Sequence, residues 1–143
     1  MNNKEEAICL ALQSRMLALA RKTFVGATLY GSKLIITGFN MENRCQKGIH
    51  AEEAAVIQAQ LHCHEPDEFD GMIVSFSNKD ISQLTFCCGH CRQVLWEYTF
   101  NPKFLITEVD LEGNIIAEKT LGELYPNPYP LKEYALVIGE DKK

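Results

Sequence analysis

Apolar residues recur over residues 4–22 as Ile8, Leu12, Leu17 and Leu19 among alanines and charges, a spacing that predicts a helix. The period then changes from helical to extended. Residues 24–30 and 33–40 are rich in β-formers and flank the tight turn Gly31-Ser32, which predicts two strands. Polar residues 41–49, with Gly48 among them, predict a loop. From His50 to about His64, the residues Ala51, Ala54, Ala55, Ile57 and Leu61 give a second helix an apolar face, and Glu65-Pro66-Asp67 ends it. Beyond it the pattern predicts a buried strand over 72–77, a helix over 88–98 and strands over 104–109 and 115–119. A short helical turn over 121–124 precedes a proline-broken tail.

The element order is therefore α-β-β-α-β-α-β-β, which packs as one mixed sheet covered by helices. The last two strands are separated only by residues 110–114, a turn that contains Gly113. A parallel return needs a crossover of about a dozen residues or more, so this pair is expected to be an antiparallel hairpin.

Composition changes the picture little but excludes several classes. A chain of 143 residues with 46% hydrophobic and 23% charged residues is that of a one-domain globular protein with a real core. A net charge of -5 argues against a nucleic-acid-binding surface. No apolar run approaches the roughly 18 residues of a membrane span. The start, Met1-Asn2-Asn3-Lys4-Glu5-Glu6, is too acidic for a signal peptide, and six irregularly spaced cysteines suit a cytoplasmic protein. Cys9, Cys45 and Cys63 are expected to be reduced, with structural or incidental roles. We find no repeats, low-complexity tracts or linkers.

The chemistry concentrates in two segments, His50-Ala51-Glu52 and Cys87-Cys88-Gly89-His90-Cys91. Together they supply an imidazole, a thiol pair at i, i+3 and a carboxylate two residues from the imidazole. Zinc hydrolysis needs such an inventory: protein ligands, an open position for water and a general acid/base beside it. Zinc nucleobase deaminases carry it as H-x-E…P-C-x-x-C, and here only the proline differs, being Cys87. His50, Cys88 and Cys91 are the expected ligands of a Zn2+ ion, and Glu52 the expected proton carrier. Each half of the site opens a helix, where the dipole and free N–H groups favour thiolate over thiol.

Two other readings of these residues stay open. Cys88-Gly89-His90-Cys91 at a helix start is also a thioredoxin-like redox motif, although that reading leaves His50-Ala51-Glu52 without a use. A purely structural zinc would take a fourth ligand, from Cys87 or Cys45. The run His62-Cys63-His64 looks like a second metal site, but sequence neighbours do not share a helix face, so a helix-end role is expected. His90 is expected to orient its loop or to face solvent.

With these residues in hand, the chain resembles the cytidine deaminase family, in its small single-domain branch. Phe24-Val25-Gly26-Ala27 resembles F-x-V-G-A, and Gly38-Phe39-Asn40-Met41-Glu42-Asn43 resembles G-x-N-x-E-N. Cys88-Gly89-His90-Cys91-Arg92-Gln93 matches C-G-x-C-R-Q, and residues 124–129 are similar to the closing L-L-P-x-x-F. The resemblance implies an α/β fold of three layers, α-β-α, around a five-stranded mixed sheet with an antiparallel last strand. It implies a catalytic domain over residues 1–130, with 131–143 as a tail outside the pattern.

The resemblance also implies roles. Asn40 and Glu42 stand at the positions that hydrogen-bond the sugar 3′-hydroxyl, which favours a nucleoside over a nucleotide. Phe24 stands at the aromatic position lining the base pocket, and backbone groups around Ala51 and Cys88 at those that read the pyrimidine edge. Tyr129 replaces a phenylalanine that a neighbouring subunit often contributes. The implied reaction is zinc-dependent hydrolysis of cytidine or deoxycytidine to the uridine and ammonia. The implied partner is a second copy of the chain, usually in a homotetramer, with no nucleic acid and no membrane. Three-cysteine relatives resemble Cys-Ala-Glu-Arg, whereas this chain has Glu53 at the arginine position, in agreement with a histidine ligand that removes one negative charge. The family's S-P-Y-S segment is replaced by Arg21-Lys22-Thr23. The alternatives are a deaminase of a modified or antibiotic cytosine nucleoside, and a zinc-binding protein without turnover.

Overall fold

The computed structural model describes residues 3–45, 47–77 and 86–129. Helix α1 (Asn3–Arg15) leads into strands β1 (Val25–Tyr30) and β2 (Ile35–Phe39), then a two-residue ribbon of β3 (Met41–Glu42) and β4 (Gly48–Ile49). Helix α2 (Ala51–Leu61), one 3-10 turn (Pro66–Glu68) and β5 (Gly71–Phe76) follow. The described chain closes with α3 (Gly89–Thr99), β6 (Leu105–Val109), β7 (Ile115–Thr120) and the single turn α4 (Leu121–Leu124).

Strands assemble in the order β2-β1-β5-β6-β7. Pairing is antiparallel except between β5 and β6, and the expected final hairpin is present, with Leu105 opposite Thr120. Its turn is closed by Asp110, whose Oδ1 accepts the N–H groups of Glu112 and Asn114 at 2.9 and 2.8 Å. Gly113 there takes φ +90°, a left-handed conformation that glycine adopts without a Cβ penalty.

Helices cover both faces of the sheet, which makes the three layers. Ala27 of β1 pairs with Gly38 of β2, and both face α2; their neighbours Gly26 and Phe39 lie on the opposite face, toward α1. The larger core lies on the α2–α3 side and joins Leu29, Met72, Val74, Phe104 and Ile106 to Ala51, Ala55, Val56, Ala59 and Leu95. A smaller core on the α1 side holds Ala7, Ala11, Tyr30, Ile73 and Val109.

The structure corrects the sequence reading in three places. Helix α1 stops at Arg15 rather than running to residue 22, and Leu17 and Leu19 are exposed. Arg15 is held in the interior by a 2.8 Å hydrogen bond from its Nη1 to Ser75 Oγ, and Leu19 instead pairs its backbone with Asn40 and Glu42. The polar stretch 41–49 contains the β3–β4 ribbon. On α2, the buried face is Ala51, Ala55, Val56 and Ala59, while Ile57 and Leu61 point outward. The tail 131–143 lies outside the described residues. Among the described residues, no helix is long and apolar enough to cross a membrane.

Candidate metal centre and active site

Two helix starts bring the candidate ligands together. His50 caps α2 in extended conformation (φ -77°, ψ 153°), and Cys88 caps α3 in the same way (φ -68°, ψ 169°). Cys91 follows in the first turn of α3, so both sulfurs lie on one side of it. The Nδ1 atom of His50 is 3.3 Å from Cys88 Sγ and 3.3 Å from Cys91 Sγ. All three ligand atoms lie within 4.8 Å of one another.

These residues fit a zinc ion. Zn–S bonds of about 2.3 Å and Zn–N bonds of about 2.0 Å in a tetrahedron place ligand atoms about 3.5–3.8 Å apart. The two nitrogen–sulfur separations of 3.3 Å are within a few tenths of an ångström of that. The charges fit as well. Burial pushes the Cys91 thiol strongly up, and the neighbouring Glu52 carboxylate and Cys88 add to it. A dication reverses that penalty, because a coordinating thiol is deprotonated outright. Among the described residues, Cys45 and Cys87 stand outside the cluster, so the structure brings three protein ligands together and not four. Cys87 is fully buried, and burial together with Glu52 pushes its thiol up to about 12. His62 and His64 stack on each other away from the site, with His64 Nδ1 3.3 Å from Glu68.

Glu52 is buried at 4% exposure beside this cluster. Burial raises its pKa above the ordinary carboxylate value, against the opposing pull of a backbone hydrogen bond and of His50. A carboxylate with raised proton affinity beside a metal cluster suits the role of proton carrier. At the rim, Glu53 accepts the His50 N–H at 3.4 Å and lies 3.3 Å from His90 Nε2, which links the two helix starts. His90 thus faces Glu53 and solvent, edge-on to the His50 ring at 5.6 Å.

Above the cluster opens a cavity of about 640 Å³, whose lining includes Val25, Asn40, Glu42, His50, Ala51, Glu52 and Cys88. Asn40 is spoken for on both sides of its amide. Its Oδ1 accepts the Val25 N–H at 2.8 Å and its Nδ2 donates to the Thr23 carbonyl at 2.8 Å, so it braces the start of β1. Glu42 accepts the Arg21 N–H at 3.1 Å from the same wall. Phe24 and Tyr129 are exposed and are not among the lining residues of this chain, although Thr23 and Val25 on either side of Phe24 are.

Sequence reasoning missed Phe76 and Phe86, the aromatic residues that do line the cavity, and the cations Arg21 and Lys47. Phe76 was detectable as the last aromatic residue of the buried strand expected over 72–77, and it ends the central strand β5. Phe86 carried no signal beyond standing two residues before Cys88.

A family model described as the cytidine and deoxycytidylate deaminase zinc-binding region matches residues 1–106. A search of curated proteins found no match. Among solved structures, cytidine deaminase from Burkholderia pseudomallei is 25% identical over 90% of this chain and 100% of that one, with a TM-score of 0.77. Cytidine deaminase from Mycobacterium tuberculosis is 23% identical over 92% and 100% of the two chains, with a TM-score of 0.70. A dCMP deaminase from the cyanophage S-TIM5 is 15% identical over 75% and 82%, with a TM-score of 0.53. The last two likenesses are of fold alone.

Proposed function

Because the chain belongs to the cytidine and deoxycytidylate deaminase family, with zinc as its cofactor, we propose that it hydrolyses cytidine and deoxycytidine to the corresponding uridines and ammonia. The observation that carries this reading is the buried Glu52 set beside the His50–Cys88–Cys91 cluster at the floor of one cavity. In the proposal those three residues hold the zinc, which when bound supplies a water acidified toward neutral pH. Glu52 takes one proton of the attacking water and delivers it to ring N3 as the water oxygen bonds to C4. It then takes the second proton from that C4 hydroxyl and passes it to the amine, which leaves as ammonia as the C4–N bond breaks and the C4 carbonyl forms. Burial supports this role, since it raises the proton affinity of Glu52 above that of an ordinary carboxylate.

Support for a nucleoside comes from Glu42 on the cavity wall, because a carboxylate beside the sugar disfavours a phosphate. In this reading Glu42 and Asn40 meet the sugar hydroxyl; Asn40 retains its second N–H and second lone pair for it. Phe24 and Tyr129, exposed here, serve through self-association, Tyr129 reaching the cavity of a neighbouring copy. Ile57 and Leu61 on the outer side of α2, at 42% and 72% exposure, supply apolar surface for a homo-oligomer, tetrameric by resemblance. The catalytic domain spans residues 1–130 in a cytoplasmic protein. A second reading, a phosphorylated substrate, is favoured by Arg21 and Lys47 on the same wall.

Ammonia release measured across cytidine, deoxycytidine, cytosine, dCMP and modified cytosine nucleosides, alongside zinc content, tests the proposal. Turnover of cytidine and deoxycytidine ahead of the rest supports it. Preference for dCMP or for a modified base moves the assignment to that substrate. Full zinc with no ammonia from any compound makes the chain a binding protein.

A further inference from the structure

The backbone that delivers Cys88 to the metal cluster has no local reason to hold its shape. Phe86-Cys87-Cys88 contains neither proline nor glycine, yet Phe86 takes φ +46°, a left-handed conformation unfavourable for a bulky side chain. Such a residue persists only where its surroundings over-determine it. Two side chains do so. Arg92 Nε donates to the Cys87 carbonyl at 2.9 Å while its Nη1 donates to the Leu124 carbonyl at 3.0 Å. From the other side, Glu108 Oε2 accepts the Phe86 N–H at 3.2 Å.

Glu108 is out of place on any packing argument. Phe104, immediately before β6, and Ile106 on it turn into the larger core, and Glu108 continues that alternation, with core residue Val74 as its partner across the sheet. An apolar side chain would suit the position, and a carboxylate at 3% exposure costs stability unless it is hydrogen-bonded. Its hydrogen bond goes to the Phe86 backbone, immediately before the zinc-site loop, at a residue that lines the cavity.

We propose that Glu108 is a positioning residue of the metal centre: its carboxylate, by holding the Phe86 N–H, fixes both the approach of Cys88 to the cluster and the place of Phe86 at the cavity. This rests on the zinc site and not on which cytosine compound is deaminated. The test therefore reads zinc directly, in the absence of substrate, so a failed substrate panel leaves it intact.

The experiment follows zinc transfer from the intact loaded protein to a chromogenic chelator, with thermal midpoints of the zinc-loaded and zinc-free forms. Glu108→Leu and Glu108→Met remove the acceptor and keep an apolar volume suited to the face. Glu108→Gln keeps an acceptor oxygen without the charge. We expect the Leu and Met variants to lose zinc at least about 10-fold faster than wild type, as for other residues that orient metal ligands. Their zinc-free midpoints should be equal to or above wild type. Glu108→Gln should stay within about 3-fold of wild type, since the hydrogen bond survives. Wild-type zinc transfer in both apolar variants overturns the proposal. So does a Gln variant as labile as they are, or a zinc-free midpoint that falls while zinc transfer is unchanged, which would make Glu108 a structural residue only.

Discussion

A single methyl group at Gly38 tests whether the distance between sheet and helix sets the geometry of the metal centre. A Cβ there would lie 2.4 Å from the Ala51 carbonyl oxygen, 2.4 Å from the Ala55 nitrogen and 3.0 Å from the Ala54 carbonyl carbon. These are backbone atoms of α2, which cannot swing aside as the end of a flexible side chain can. Ordinary contact begins near 3.4 Å, so α2 must withdraw by about 1.0 Å, the difference between 3.4 and 2.4. His50 and Glu52 travel with it, whereas Cys88 and Cys91 stay on α3, so the 3.3 Å separations between His50 Nδ1 and the two sulfurs change together. Overpacking of this kind costs about 1–3 kcal/mol. A displacement of about 1 Å at a reacting centre lowers turnover about 100-fold. Gly26→Ala is the control, because its Cβ would meet the Ala11 oxygen at 2.1 Å and the Arg15 nitrogen at 2.6 Å, in α1 on the opposite face. We expect both variants to lose several degrees in calorimetric Tm. Only Gly38→Ala should lose zinc by atomic absorption and ammonia release beyond what its Tm explains. Full zinc content and wild-type turnover in Gly38→Ala, or equal zinc loss in Gly26→Ala, would refute the reasoning.

Three further outcomes are expected. Glu52→Ala keeps its zinc and loses ammonia release by about 10²–10⁴-fold, as removal of a general acid/base does; near-wild-type turnover would remove Glu52 from the mechanism. Zinc uptake by the zinc-free protein releases protons, because burial and Glu52 hold the Cys91 thiol protonated until a dication displaces the proton. Calorimetric titration in buffers of different ionisation enthalpy measures this, and a buffer-independent heat would contradict it. Tyr30 has its pKa pushed up from 10.0 to about 12 by burial and by the carboxylates Glu118 and Asp70. The folded state therefore holds that proton more tightly than the unfolded one. The stability it contributes is complete below pH 10.0 and drains away as pH rises toward about 12. Tyr30→Phe should flatten that alkaline decline in urea denaturation, and parallel declines would assign the loss to other groups.

Much of this architecture was legible in the sequence for reasons of length and chemistry. The connection before β7 is too short for a crossover, which leaves only a hairpin. His50 and Cys88 read as helix starts because apolar periodicity begins immediately after them, and both are helix caps in the structure. What was not legible depends on contacts between distant segments. The end of α1 is set by Arg15 reaching Ser75 on β5 and by Leu19 pairing with the strand edge, neither of which local periodicity encodes. A two-residue ribbon such as β3–β4 has no period to detect. Asn40, expected from the resemblance to face the sugar, spends one acceptor and one donor on bracing β1, a use visible only once Thr23 and Val25 lie beside it.

The misassigned face of α2 has a physical cause that reaches the site. Hydrophobicity ranks Ile57 and Leu61 above any alanine, so they were expected to point inward, yet they point outward. The reason is distance. Gly38 allows the α2 backbone to approach the sheet so closely that only Ala51, Ala55 and Ala59, with Val56 at the edge, fit beneath it. That approach lowers the start of α2 to the level of α3, where His50 meets Cys88 and Cys91 and where Glu52 falls below the surface rather than onto it. A leucine-faced helix would bury more apolar area and stand farther from the sheet, carrying His50 away from the thiols and Glu52 into water. Small residues at this interface thus trade packing area for the position and dryness of the carboxylate, and dryness is what raises its proton affinity. The exposed Ile57 and Leu61 are the counterpart of that choice: apolar surface that close packing on the sheet leaves outside.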